Sequence, residues 1–155
     1  MIYTSSYKNC KNSSYQTYSI SKDRGRDAGY DGPCFLLLAP KESFFRIWRN
    51  NQGVIDELDN NKYYMEEFYN QILKQLDPEE IYHTLDNSIL LCYEDSNQFC
   101  HRHIVAAWLE LSLGVQIDEV TINEDKMEIQ KKPDYIKKYI ERIMIEKDRK
   151  KILSK

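Results

Sequence analysis

No stretch of this sequence is apolar for long enough to cross a bilayer. The longest such run, Cys34 to Ala39, falls far short of the roughly 18 residues a spanning helix needs, so no membrane partner is expected. Met1-Ile-Tyr-Thr-Ser-Ser6 has neither the basic stretch nor the apolar core of an export signal, and a cytoplasmic location is the expectation. Cysteine is scarce. Without an export signal, the 4 cysteines (Cys10, Cys34, Cys92, Cys100) read as reduced thiols rather than a disulfide framework. A large excess of charge of one sign is missing too, and a formal net charge of -3 argues against broad coating of nucleic acid. Internal repeats and low-complexity tracts are absent. Neither Cys92 nor Cys100 has an arginine six residues on (Gln98 and Ala106 stand there), which excludes the phosphate loop of cysteine phosphatases.

What is present is one domain's length, 155 residues, with 41% hydrophobic content and enough chain to bury a core. Charge is distributed unevenly along it. Residues 124–155 carry 11 Lys/Arg against 7 Asp/Glu, leaving 11 against 18 for residues 1–123. The basic tail reads as a solvated helical face, with a nucleic-acid contact as the other reading.

Local pattern alternates strand and helix. Ile2-Tyr-Thr4 predicts a strand over 2–4 that runs into a polar loop at Ser5, Ser6 and Tyr7, and residues 8–15 are polar without period. Tyr18 to Ser21 predicts a second strand, followed by the charged, glycine-punctuated loop Lys22 to Gly29. Cys34 to Ala39, bracketed by Pro33 and Pro40, reads as a strand or a buried irregular segment. Phe44, Ile47 and Trp48 have helical spacing behind Ser43. Asn60 or Asn61 is the expected cap of a helix with Met65, Phe68, Tyr69, Ile72, Leu73 and Leu76 on one face. Asp77-Pro78 opens a short helix containing His83, which reads as structural. Gln116 to Ile122 predicts the last strand. A charged linker broken by Pro133 then leads to a helix marked by Ile136, Tyr139, Ile140, Ile143 and Met144.

The centre of the chain is Ser88 to Leu113. Ile89, Leu90 and Leu91 predict a strand buried on both faces, and Glu94 to Gln98 a loop. Ile104, Val105, Trp108 and Leu109 then line one face of a helix ending at Gly114. Cys100, His101, Arg102 and His103 therefore fall on the first turn of a helix, just past a strand. Unpaired backbone N–H groups and the helix dipole favour an anion there and lower a thiol's pKa. The fold class expected is α/β: a single domain with a mostly parallel sheet flanked by helices and an added C-terminal helix. Its division would be an α/β domain over 1–123 and a basic helical extension over 124–155 packed on it. In such sheets ligands bind beyond the carboxyl ends of the strands, where the loops Ser5 to Tyr7, Ser21 to Arg26 and Glu94 to His103 would meet.

Leu90-Leu-Cys-Tyr-Glu94 followed by Cys100-His-Arg102 at a helix start resembles the "LLC-x-E … CHR" signature of the domain-of-unknown-function 488 (DUF488) family, including its YeaO-like members. Tyr3-Thr-Ser-Ser6 and Ser19-Ile-Ser-Lys-Asp-Arg24 resemble more loosely the family's first strand and turn and the end of its second strand. The resemblance covers residues 2 to about 122. It implies a fold and a site, while the family itself carries no settled activity.

The expected function is that of a small enzyme acting on a phosphorylated small molecule or nucleotide held at the helix start. Cys100 would be the nucleophile, Glu94 or His101 would move protons, and Arg102, Arg24, Ser5, Ser6 and Tyr7 would hold the ligand. Tyr7, Tyr30 and Tyr93 flank the crevice and are the tyrosines suited to stacking on a base. The alternative is a non-catalytic anion- or nucleic-acid-binding module with a structural Cys-His-Arg cluster. No cofactor and no metal are expected. Zinc at Cys92, Cys100, His101 or His103 is the other reading, although Cys-x7-Cys-His lacks the Cys-x2-Cys spacing of structural zinc sites. A Cys92–Cys100 redox pair also stands as a reading, for geometry to decide.

Overall fold

The computed structural model describes residues 1–153. The strands are β1 (Tyr3–Ser6), β2 (Cys10–Lys11), β3 (Gln16–Ser19), β4 (Ser88–Cys92), β5 (Asp118–Asn123) and β6 (Lys126–Gln130). The helices are α1 (Glu42–Asn50), α2 (Glu57–Gln71), α3 (Pro78–Leu85), α4 (His101–Leu113) and α5 (Asp134–Leu153). β4 lies between β1 and β3, parallel to both, with Leu91 opposite Ser5 and Ser19. β1 and β2 lie end to end along one edge of β5, while β6 runs antiparallel along its other edge. The result is the expected α/β domain with a mostly parallel sheet and a C-terminal helix.

Alternation along β4 divides the interior. Leu90 and Cys92 join the main core, to which all five helices contribute: Phe44, Phe68, Leu85, Ile104 and Ile140 are examples. Ile89 and Leu91 face the other side with Val120 and Ile122, covered by Tyr3, Tyr7, Tyr30 and Met127. Every residue of β4 is buried, as its continuous apolar run predicts.

Four local expectations are corrected. Ser5 and Ser6 belong to β1 instead of a loop, because their small side chains fit inside the sheet and Ser5 Oγ donates to the Val120 carbonyl at 2.7 Å. Part of the polar segment after them forms β2, drawn into the sheet by its pairing with Ile122 and Asn123. α2 is capped by Asp56, whose carboxylate accepts from the Asp59 N–H at 3.1 Å, a full turn before the expected cap. Asn60 and Asn61 sit inside that helix, buried, with their amides bonded to the Trp48 carbonyl and indole. The charged linker contains β6, joined to β5 through Glu124 and Asp125, both at positive φ as a tight hairpin turn requires. The boundary expected at 123/124 lies in this turn. Among the described residues no helix is long and apolar enough to cross a membrane.

Candidate functional site

β3 and β4 end side by side, so the segments that follow them meet. The chain after β3 runs through Ser21 to Asp27. The chain after β4 runs through Tyr93 to Phe99 into α4. With α1 and α2 these segments border a half-open cavity of about 600 Å³. Its floor is formed by Cys92, Glu94, Cys100 and His101, and its walls by Phe45, Trp48, Tyr64 and Phe99. Lys22, Asp23, Arg49 and Tyr93 stand around them. The walls are packed ring on ring, Trp48 to Phe99 at 6.0 Å and Tyr64 to Phe99 at 5.3 Å between centroids.

Three of the expected chemical residues come together here. His101 is buried, and its Nε2–H donates to the Ile20 carbonyl at 2.7 Å, which leaves Nδ1 as an acceptor 3.9 Å from Cys100 Sγ. Burial, assisted by the Arg102 charge and opposed by the Ile20 bond, holds this imidazole neutral with a pKa of about 4. Burial pushes the Glu94 carboxyl above its ordinary range, and the Arg102 charge only partly offsets that. Cys100 begins α4 without a side-chain cap, so the first-turn N–H groups have no such partner. Its sulfur is joined to Cys92 as a disulfide, with the Cα atoms 7.5 Å apart. Of the 4 thiols expected free, Cys10 and Cys34 are free. In the bonded state Cys100 has no thiolate, so a nucleophilic role would belong to the reduced protein.

The expected ligand-binding residues lie elsewhere. Arg102 is 0% exposed and turned into the core. Its Nε and Nη2 donate to the two Glu119 oxygens at 3.0 and 2.9 Å, its Nη1 to Cys92 Sγ at 3.2 Å, and its Nη2 to the Glu94 carbonyl at 2.7 Å. The fork that would grip a phosphate closes on a buried carboxylate instead. Burial alone would raise the Glu119 pKa. The Arg102 bonds and charge, His103 and the Thr4 hydroxyl outweigh it and hold the carboxyl below the usual range. Ser5 and Ser6 are buried in β1, and Arg24 is exposed outside the cavity lining. Tyr7 is half-buried, bonded to Ser19 and Ser21 at 2.6 and 2.8 Å and packed on Tyr30 and Tyr93. Tyr7 meets Tyr30 at a tilt and Tyr93 edge to face, and of the three only Tyr93 lines the cavity. His103 is buried beside Glu119, 3.9 Å from Nδ1 to Oε1, away from Cys92, Cys100 and His101.

Lys22 and Phe99 lie in loops expected at the site, whereas sequence reading missed Trp48 and Arg49 as cavity residues and Glu119 as the anchor of Arg102. Glu119 did carry a signal, as an acid within a strand whose alternate residues are apolar. The cavity wall on α1 carried none, since Trp48 looks like ordinary core.

Fold and geometry together define a mostly parallel α/β domain with cysteine, histidine and carboxyl side chains gathered at the carboxyl ends of its strands and on the start of the next helix. A family model described as the active DUF488-N3 subclade matches residues 5–113, and the chain belongs to that family. The match runs from β1 to the end of α4 and includes every residue that lines the cavity. Comparisons with curated proteins and with solved structures found no match.

Proposed function

We propose that the chain is a small enzyme acting on a nucleotide-like or other phosphorylated ligand bound in this cavity. One observation carries the reading: aromatic side chains, Arg49 and the Glu94, Cys100 and His101 groups line one half-open cavity. The partly exposed rings of Phe45, Trp48 and Phe99 supply aromatic surface for a planar base. Arg49 and the start of α4 supply positive potential for a phosphate; Lys22 is already paired with Glu42. Cys100 and His101 form the reactive floor, and Glu94 is placed to exchange a proton with the ligand.

Trp48 provides the test. Titration with nucleoside mono-, di- and triphosphates should quench its fluorescence, and Arg49→Ala should weaken binding roughly tenfold to a hundredfold, the worth of one charge-assisted bond. Phosphorus NMR of the same mixtures reads turnover. Saturable binding without turnover would make this an anion-binding module. Binding seen only with DNA or RNA oligomers, and falling steeply with salt, would make it a nucleic-acid-binding module.

A further inference from the structure

We infer that, once reduced, Cys92, Cys100 and His101 hold a divalent metal ion of the zinc class, with one coordination position open to the cavity. The ligand atoms of these three buried residues lie within 4.8 Å of one another. Two Zn–S bonds of about 2.3 Å in tetrahedral geometry place sulfurs roughly 3.7 Å apart, so a small rotation of each side chain admits the ion. The backbone suits this arrangement. The Cα atoms of Cys92 and Cys100 are 7.5 Å apart, beyond the roughly 4.4–6.8 Å over which disulfides are usually formed. A metal between the sulfurs fills that separation.

The surroundings match what a metal needs. His101 donates Nε2–H to the Ile20 carbonyl, a bond that orients the ring and leaves the Nδ1 lone pair toward Cys100. Arg102 directs Nη1–H at Cys92 Sγ from 3.2 Å, a donor suited to an electron-rich thiolate. Three protein ligands facing a cavity with a fourth position free is the pattern of catalytic zinc, which does not require the Cys-x2-Cys spacing of closed structural sites. His103 stands on the Glu119 side and does not complete the set.

Formation of the site balances as follows. Two equivalents of a monothiol reductant pass two electrons and two protons to the Cys92–Cys100 disulfide and become a disulfide themselves. The divalent ion then displaces both thiol protons, and two thiolates neutralise its charge. For the open position the inference rests on the cavity being the reactive site. Metal binding itself is read without any nucleotide, so either reading can fail alone.

The experiment is a cobalt(II) titration of the reduced, metal-free full chain, with circular dichroism confirming the fold. One equivalent should produce tetrahedral d–d bands and thiolate-to-cobalt charge-transfer bands, which zinc then abolishes. His101→Ala and Cys100→Ser should each remove the one-equivalent end point, and Cys10→Ser with Cys34→Ser should preserve it. Protein purified without oxidant, then denatured with chelator, should show four reactive thiols. No bands in folded, reduced wild type would overturn the inference. So would bands lost only with Cys10 and Cys34.

Discussion

At the scale of single residues, the most consequential contact joins Arg102 to Glu119. Each would be costly alone in the core, and they are held by two bonds to one another plus Cys92, the Glu94 carbonyl and Thr4. Removing one partner strands the other as an unpaired buried charge, so Arg102→Leu should cost about 3–5 kcal/mol in urea unfolding. Arg102→Leu combined with Glu119→Leu should lose far less than the two single changes added together. The same pair has a pH signature. Glu119 is held below its unfolded value, near 4.3, so the unfolded chain binds the extra proton as the solution is acidified. Its contribution is fully present above about pH 4.3 and is lost as pH falls through the lower folded value. Urea midpoints measured down the acid limb should fall more shallowly in the Arg102→Leu/Glu119→Leu double variant than in wild type.

At the scale of elements, the segment after β3 depends on tyrosine packing and one glycine. Gly25 has φ +79, and a Cβ built on it would lie 2.8 Å from the Tyr7 ring and 2.9 Å from Tyr30 Cβ. Its N–H donates to Asp23, which also accepts from the Tyr93 hydroxyl. Gly25→Ala should therefore displace the Asp23 segment from the cavity edge. The expected outcome is about 1–3 kcal/mol of destabilisation together with weaker quenching of Trp48 by nucleotides. Unchanged binding and stability would show that the segment does not shape the cavity.

For the whole molecule, the C-terminal helix is part of the core. Ile136, Ile140 and Ile143 of α5 are buried in the main cluster, and Lys132 and Lys137 reach Glu110 of α4 at 3.5 and 3.4 Å. Each isoleucine contributes roughly 1.5–3 kcal/mol by burial, a large share of a typical domain's stability of about 5–15 kcal/mol. Deleting residues 134–155 should abolish the cooperative thermal transition, although the family match ends at residue 113. A truncated chain that still melts cooperatively near the wild-type temperature would show that α5 is only attached.

Elements whose own residues carry the pattern were legible in the sequence. β4 announced itself by Ile89, Leu90 and Leu91, α3 by Asp77-Pro78, and α4 by its apolar stripe and Gly114, because burial of a local face imposes a local period. The junction carrying Glu94, Cys100 and His101 followed from strand and helix meeting. β6 did not, since an edge strand with exposed Ile129 is held by pairing with β5 rather than by its own hydrophobicity. Nor did the direction of Arg102: a helix-start arginine favours an anion, and whether that is a ligand or Glu119, 17 residues on, depends on which strand lies across from it. The same holds for the aromatic walls. Trp48, Tyr64 and Phe99 have core-like character at the level of sequence. Only the packing of α1 and α2 beside the carboxyl ends of β3 and β4 turns their rings toward an open space, because distant segments choose their neighbours through the core they jointly bury.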